Sequence, residues 1–154
     1  MFFFRKSVDT ILVTHSIDTI VLSSSFDQEM QDDRFVASLF DLLDRLEGKR
    51  IIVIGPAPRA PFHVGECISK NKIISAGNSC NFEVSSTHLE KIATLERLFG
   101  GNATISFIDI TEFVCPSLYC VTAIDDDDAM YVDSGHLSVS GAGIVFAKIR
   151  HSIE

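Results

Sequence analysis

No run of apolar residues in this chain approaches the ~20 that a membrane-crossing helix needs. The opening Met1-Phe2-Phe3-Phe4 meets Arg5 and Lys6 before a signal-peptide core can form, so neither a signal peptide nor a transmembrane segment is expected. Basic residues are scarce as well. Thirteen Lys plus Arg face 21 Asp plus Glu, a net charge of −8 that opposes a phosphate backbone or an anionic bilayer as partner, and no nucleic acid is expected. The cysteines, Cys67, Cys80, Cys115 and Cys120, include no Cys-x-x-Cys redox motif, although the gap between the last two fits a small disulfide loop. Cys67 and Cys80 lie too far apart for a zinc knuckle, and no His sits at paired spacing near them. Cysteine count alone leaves the compartment open. Gly141-Ala142-Gly143 lacks the preceding strand and the glycine pattern of a nucleotide loop. Asp125 to Asp128 reads as a solvated turn rather than a calcium site, and His15, His63, His88 and His151 read as scattered surface or loop residues. Neither a metal nor a cofactor is expected.

What is present is enough apolar material for one core: 154 residues, 46% hydrophobic, read as a single domain over 1–154. The clearest helix is predicted from about Gln28 to Glu47, where Phe35, Leu39, Leu42, Leu43 and Leu46 form one stripe and Gly48 offers a stop. Ile51-Ile52-Val53-Ile54 and Thr19-Ile20-Val21-Leu22 are wholly apolar or nearly so, as strands covered on both faces of a parallel sheet are. Residues 55–84 hold three prolines and little apolar periodicity, which predicts a long functional loop. Thr87-His88-Leu89-Glu90 has capping-box spacing for a helix through Leu98 that Gly100-Gly101 stops, followed by a strand over 104–108. Ser138 can cap a closing helix from Val139 to Arg150, and residues 1–16 read as a further helix. Alternating strands and helices predict a three-layer α/β/α domain with a mostly parallel sheet. Chemistry in such folds sits at the carboxyl ends of the strands, here Ser23 to Phe26, the 55–84 loop, and Asp109 to His136.

Within that edge, Tyr131-Val132-Asp133-Ser134-Gly135-His136-Leu137-Ser138 is the segment with chemical content. An Asp three residues before a His, on a Gly-containing turn entering a helix, can accept the imidazole Nδ1–H and leave Nε2 outward as a general base. A nucleophile is harder to find. Gly77-Asn78-Ser79 follows a short strand-like run, yet it reads better as surface loop, while Ser23, Ser24 and Ser25 stand on the working edge.

The sequence resembles the carboxyl-terminal part of the SGNH (GDSL-like) hydrolase domain attached to acyltransferase-3 type membrane O-acyltransferases, which acetylate cell-surface polysaccharides. Asp18 to Leu22, Gly48 to Pro58, Cys115-Pro116 to Cys120, and Tyr131-Val132-Asp133 to Ser138 with Gly141-Ala142 carry the resemblance, over roughly residues 16–150. It implies an SGNH-hydrolase (flavodoxin-like) fold truncated at its amino terminus, with Asp133 and His136 as acid and base of a triad. It also implies a Cys115–Cys120 disulfide in an exported, periplasmic or otherwise extracytoplasmic domain; Cys67 and Cys80 could pair or stay free. The implied partners are an acyl donor, a sugar acceptor and a membrane acyltransferase domain. The chain departs from the family pattern in two places. The Gly-Asp-Ser nucleophile turn is absent from these 154 residues, and Ser25-Phe26 stands where the family carries Arg-Trp, which makes Ser25 the local serine nearest the expected site. The implied function is therefore a fragment of an O-acyltransferase or esterase domain, inactive alone; the alternative is a non-catalytic module, or a subunit that another chain completes.

Overall fold

The computed structural model describes residues 16–26, 32–74, 79–125 and 128–153. Strands β1 (Thr19–Ser23), β2 (Arg50–Ile54) and β4 (Ile105–Ile108) form a parallel sheet in the order β1-β2-β4. Ile20 is level with Ile51, and Ile51 with Ile105. The central strand β2 is covered on both faces, as its unbroken apolar run predicts: Ile51, Ile52 and Val53 are buried. Each such side chain contributes roughly 1.5–3 kcal/mol by leaving water. Alternation sends Ile51 and Val53 to one face. There they meet Leu43 of α1 (Asp33–Arg45) and Leu95 and Phe99 of α3 (Ser86–Phe99). Ile54 and Ile108 face the other layer, with Val145 and Ile149 of α5 (Val139–Ile153). The result is the expected three-layer arrangement.

Several boundaries differ from the sequence reading. Helix α1 starts at Asp33, where the Asp32 carboxylate accepts from Arg34 N at 2.9 Å; residues 27–31 lie outside the described residues. It ends at Arg45, three residues before Gly48, whose φ of +83° is a left-handed turn that glycine adopts without strain. The cap of α3 is Ser85, whose Oγ accepts from His88 N at 3.2 Å, rather than Thr87. Strand β4 begins at Ile105, and the helix expected over residues 1–16 lies almost wholly outside the described residues.

The largest correction concerns residues 55–84, which are no continuous loop. They contain α2 (Val64–Ile74) and β3 (Phe82–Glu83), the latter paired antiparallel with β5 (Tyr119–Cys120). Helix α2 has no broad apolar stripe to announce it. Tertiary contacts hold it instead: Val64 is fully buried, the Cys67–Cys80 disulfide ties it to the chain ahead of β3, and a Cβ at Gly65 would lie 2.8 Å from Val132 O. A second disulfide joins Cys115 to Cys120 across a short 3₁₀ turn, Pro116–Leu118, that follows α4 (Thr111–Val114).

Strand β1 pairs, among the described residues, with β2 alone, and Val21 in its middle is 44% exposed. An open strand edge offers unpaired N–H and C=O groups to another chain. The isolated chain is therefore expected to be marginally stable or to self-associate, with a melting temperature that depends on protein concentration. A sharp, reversible, concentration-independent transition of a monomer in sedimentation and calorimetry refutes this.

Candidate active site

The turn over residues 131–137 closes on itself. Tyr131 and Leu137 form an antiparallel bridge, and Val132 N donates to His136 O at 2.9 Å. Inside it, Asp133 Oδ1 accepts from Gly135 N at 2.7 Å and from His136 N at 2.8 Å, while Oδ2 lies 2.7 Å from His136 Nδ1. The Gly135 N–H above all, then the His136 ring and the His136 N–H, hold the Asp133 carboxyl well below the usual carboxylate range. An ionised Asp133 keeps a proton on Nδ1 of the neutral ring, which leaves Nε2 with the lone pair. The imidazole is 81% exposed, so that nitrogen is open to an incoming proton donor.

Contacts from distant segments fix the turn in place. Tyr131 is buried, and its hydroxyl donates to Pro58 O at 2.8 Å; burial pushes the phenol above its ordinary range and keeps it a donor. Ala60 N donates to Ser134 O at 2.7 Å. The segment that leaves β2 is thereby stitched to the turn at two points. Behind Tyr131 lie Phe82, at 5.8 Å between ring centroids, and Cys115 of the disulfide. On the far side Ser138 Oγ accepts from Gly141 N at 2.9 Å and starts α5, as its capping role predicts.

His136 lines a cleft of about 540 Å³ at the carboxyl ends of the strands, shared with Ser23, Ser24, Ser25, Arg59 and Lys91. The structure thus brings the serines after β1 and the Asp133–His136 turn to one cavity. Among the described residues no serine hydroxyl is bonded to His136; Ser24 Oγ accepts from Phe26 N at 3.4 Å. Phe26, at φ +49°, is held in its left-handed conformation by burial against Phe99. Ser79 lies elsewhere. It lines a separate cavity of about 370 Å³ beside Cys80, and its hydroxyl accepts from Asn81 N at 3.2 Å.

Two sequence readings need adjustment. His88 is not a surface residue: it is 5% exposed, with Nε2 2.8 Å from Thr111 Oγ1, whose own proton goes to Asp109 Oδ1 at 2.6 Å. Arg59 and Lys91, which no motif singles out, also stand in the cleft, Arg59 on the chain after β2 and Lys91 on α3. Among the described residues no group of three or more His, Cys, Asp or Glu is placed to hold a metal ion. Asp125 Oδ1 accepts from Asp128 N at 2.8 Å within its own turn.

A family model described as the SGNH domain (fused to AT3 domains) matches residues 2–150. The chain belongs to this family. The match begins upstream of residue 16, where the resemblance read from the sequence starts. Among solved structures, the SGNH domain described here is similar to a Salmonella ser. Paratyphi A lipopolysaccharide acetyltransferase periplasmic domain, with a TM-score of 0.63 and 21% identity. The alignment covers 88% of this SGNH chain and 56% of that chain, so the likeness concerns the fold. No curated protein matches the sequence. No helix among the described residues of the SGNH domain is long and apolar enough to cross a membrane.

Proposed function

We propose that this SGNH domain carries the acid–base half of an acyl-transfer site acting on hydroxyl groups of a cell-surface polysaccharide. The observation that supports it is the 2.7 Å Asp133–His136 pair opening onto a cleft at the carboxyl ends of the strands. In this reading a serine hydroxyl attacks the acyl carbonyl while His136 Nε2 takes its proton. The same imidazole returns the proton to the leaving group; it then takes the proton of the acceptor sugar hydroxyl as that oxygen bonds the acyl carbon, and passes it to the serine oxygen as the serine–acyl bond breaks. Asp133 holds the ring in the required tautomer. A membrane acyltransferase domain would supply the acyl donor, and two disulfides suit an extracytoplasmic, oxidising setting.

The nucleophile turn is the missing part, because no Gly-Asp-Ser occurs in these 154 residues. General base catalysis typically contributes ~10²–10⁴-fold, but it needs a nucleophile to act on. The isolated chain is accordingly expected to show no His136-dependent hydrolysis of an aryl acetate, and His136→Ala is expected to change nothing in that assay. Turnover abolished by both Asp133→Asn and His136→Ala would overturn the fragment reading. Ser25→Ala would then identify the nucleophile. The pairing of β1 with β2 alone among the described residues favours a second reading, in which another chain completes the domain and brings the nucleophile strand. Co-purification with such a chain, and activity only in the complex, would distinguish it.

A further inference from the structure

We infer that the Cys67–Cys80 disulfide is a redox latch on the Asp133–His136 turn, opened by a dithiol that attacks Cys67 and displaces Cys80. The inference rests on the acyl-transfer reading for what a loosened turn would switch off, and adds to it a means of regulation. The two disulfides differ in how far a thiol can reach them. Cys115 and Cys120 are both fully buried, so no thiol meets their sulfurs while the domain stays folded. Cys67 is half-buried in the first turn of α2, and Cys80 is 7% exposed. Access therefore selects the Cys67–Cys80 bond for exchange, and Cys67 as the sulfur that is attacked.

Hydrogen bonding points the same way. Asn71 stands one helical turn after Cys67 on α2, and its Nδ2–H donates to Cys80 Sγ at 3.1 Å. A disulfide sulfur is a weak acceptor, but a thiolate is charged, and a donor already aimed at it favours that charged form. The lower pKa that results makes Cys80 the better leaving group. In the first step a thiolate of the reductant bonds Cys67 Sγ as the S–S bond breaks toward Cys80. The second thiol of the reductant then closes on the first and releases Cys67. The dithiol supplies both electrons and is oxidised to a disulfide, and its two protons end on Cys67 and Cys80.

The other end of the latch is the turn. Val64 is fully buried in the same cluster as Tyr131, and a Cβ at Gly65 would lie 2.8 Å from Val132 O, so the start of α2 is pressed against the residue before Asp133. Val132 N in turn donates to His136 O at 2.9 Å, which closes the turn around the pair. Cys67 lies two residues beyond Gly65, so its bond to Cys80 pins the very part of α2 that backs Val132. Opening the bond lets α2 fray from Val132 and removes that backing from the Asp133–His136 pair.

The test uses the full 154-residue chain with both disulfides formed. Dithiothreitol is added, samples are alkylated over time and mapped by mass, and amide hydrogen exchange is measured before and after the faster bond opens. Cys67–Cys80 is expected to open roughly tenfold faster than Cys115–Cys120 or more, and the monothiol glutathione to leave its adduct on Cys67. Once that bond is open, the amides of α2 and of Val132, Gly135 and His136 should exchange roughly tenfold faster, while those of Ile51 to Ile54 keep their rates. Asn71→Leu, which keeps the size and removes the donor, should slow the opening by roughly threefold. Equal rates for the two disulfides, an adduct on Cys80, opening no slower in Asn71→Leu, or unchanged exchange at Val132, Gly135 and His136 each overturn the inference. None of these measurements needs turnover, so such a result leaves the acyl-transfer reading standing. Conversely, the aryl acetate assay of the Asp133→Asn and His136→Ala variants bears on that reading and leaves the latch untouched.

Discussion

Reduction of both disulfides is expected to lower the melting temperature by about 10–20 °C, at a rate of about 2–4 °C per kcal/mol for a chain of this size. Cys67–Cys80 spans a sequence separation of 13 and Cys115–Cys120 one of 5. In the chain-entropy account, loops of those lengths contribute about 3 and about 2 kcal/mol by restricting the unfolded chain. Their sum reaches the low end of the ~5–15 kcal/mol that a whole domain commands. The native consequences fall on particular elements. Helix α2 has Val64 buried, Ile68 partly buried against the core and Gly65 close to Val132, and it is tied to the chain ahead of β3 by its bond to Cys80, so it should be the first to lose protection. Tyr131 packs against Cys115, so the second bond supports the turn that carries Asp133 and His136. Thermal melts with and without reductant, together with mass mapping of the native bonds, check this. Equal melting temperatures, or free thiols at Cys115 and Cys120 in exported material, would overturn it.

The parts of this structure that could be read from the sequence are those whose causes are local. Ile51 to Ile54 is legible because a strand buried on both faces must be apolar at every position. Helix α5 is legible because Ser138 caps it three residues before Gly141. Asp133 and His136 are legible because both belong to one short turn that they hydrogen-bond closed. What escaped detection depends on distant partners. Helix α2 is held by a disulfide and a close backbone approach, neither of which leaves a periodic pattern. His88 can be buried because a threonine hydroxyl oxygen 23 residues away accepts from its ring N–H. The cleft combines five separate segments, the end of β1, the chain after β2, helix α3, Ile110 after β4 and the 135–137 turn, so Arg59 and Lys91 carry no mark in the sequence. Even the true cap of α3 shows the limit: Ser85 and Thr87 both have suitable side chains, and only the backbone path chooses between them.

Gly141→Ala is expected to destabilise the domain by about 2–3 kcal/mol, although alanine is the better helix former. A Cβ at position 141 would clash with Met130 O and stand 3.0 Å from Met130 C. Those are backbone atoms, fixed by Ser138 N donating to Met130 O at 2.9 Å and Met130 N donating to Thr122 O at 2.8 Å. They cannot swing aside as the end of a side chain can. Either α5 moves outward, uncovering Val145 and Ile149, or the segment from Met130 moves and takes the Asp133–His136 turn with it. Gly143 provides the control on the same helix, because a Cβ there meets nothing within 4 Å. Gly143→Ala should therefore stabilise by about 0.5–1 kcal/mol, through the lower entropy of the unfolded chain and better helix propensity. Two identical substitutions two residues apart are thus expected to have opposite signs. Paired chemical denaturation of the two variants measures the difference, and equal midpoints would mean that α5 does not approach Met130 as described.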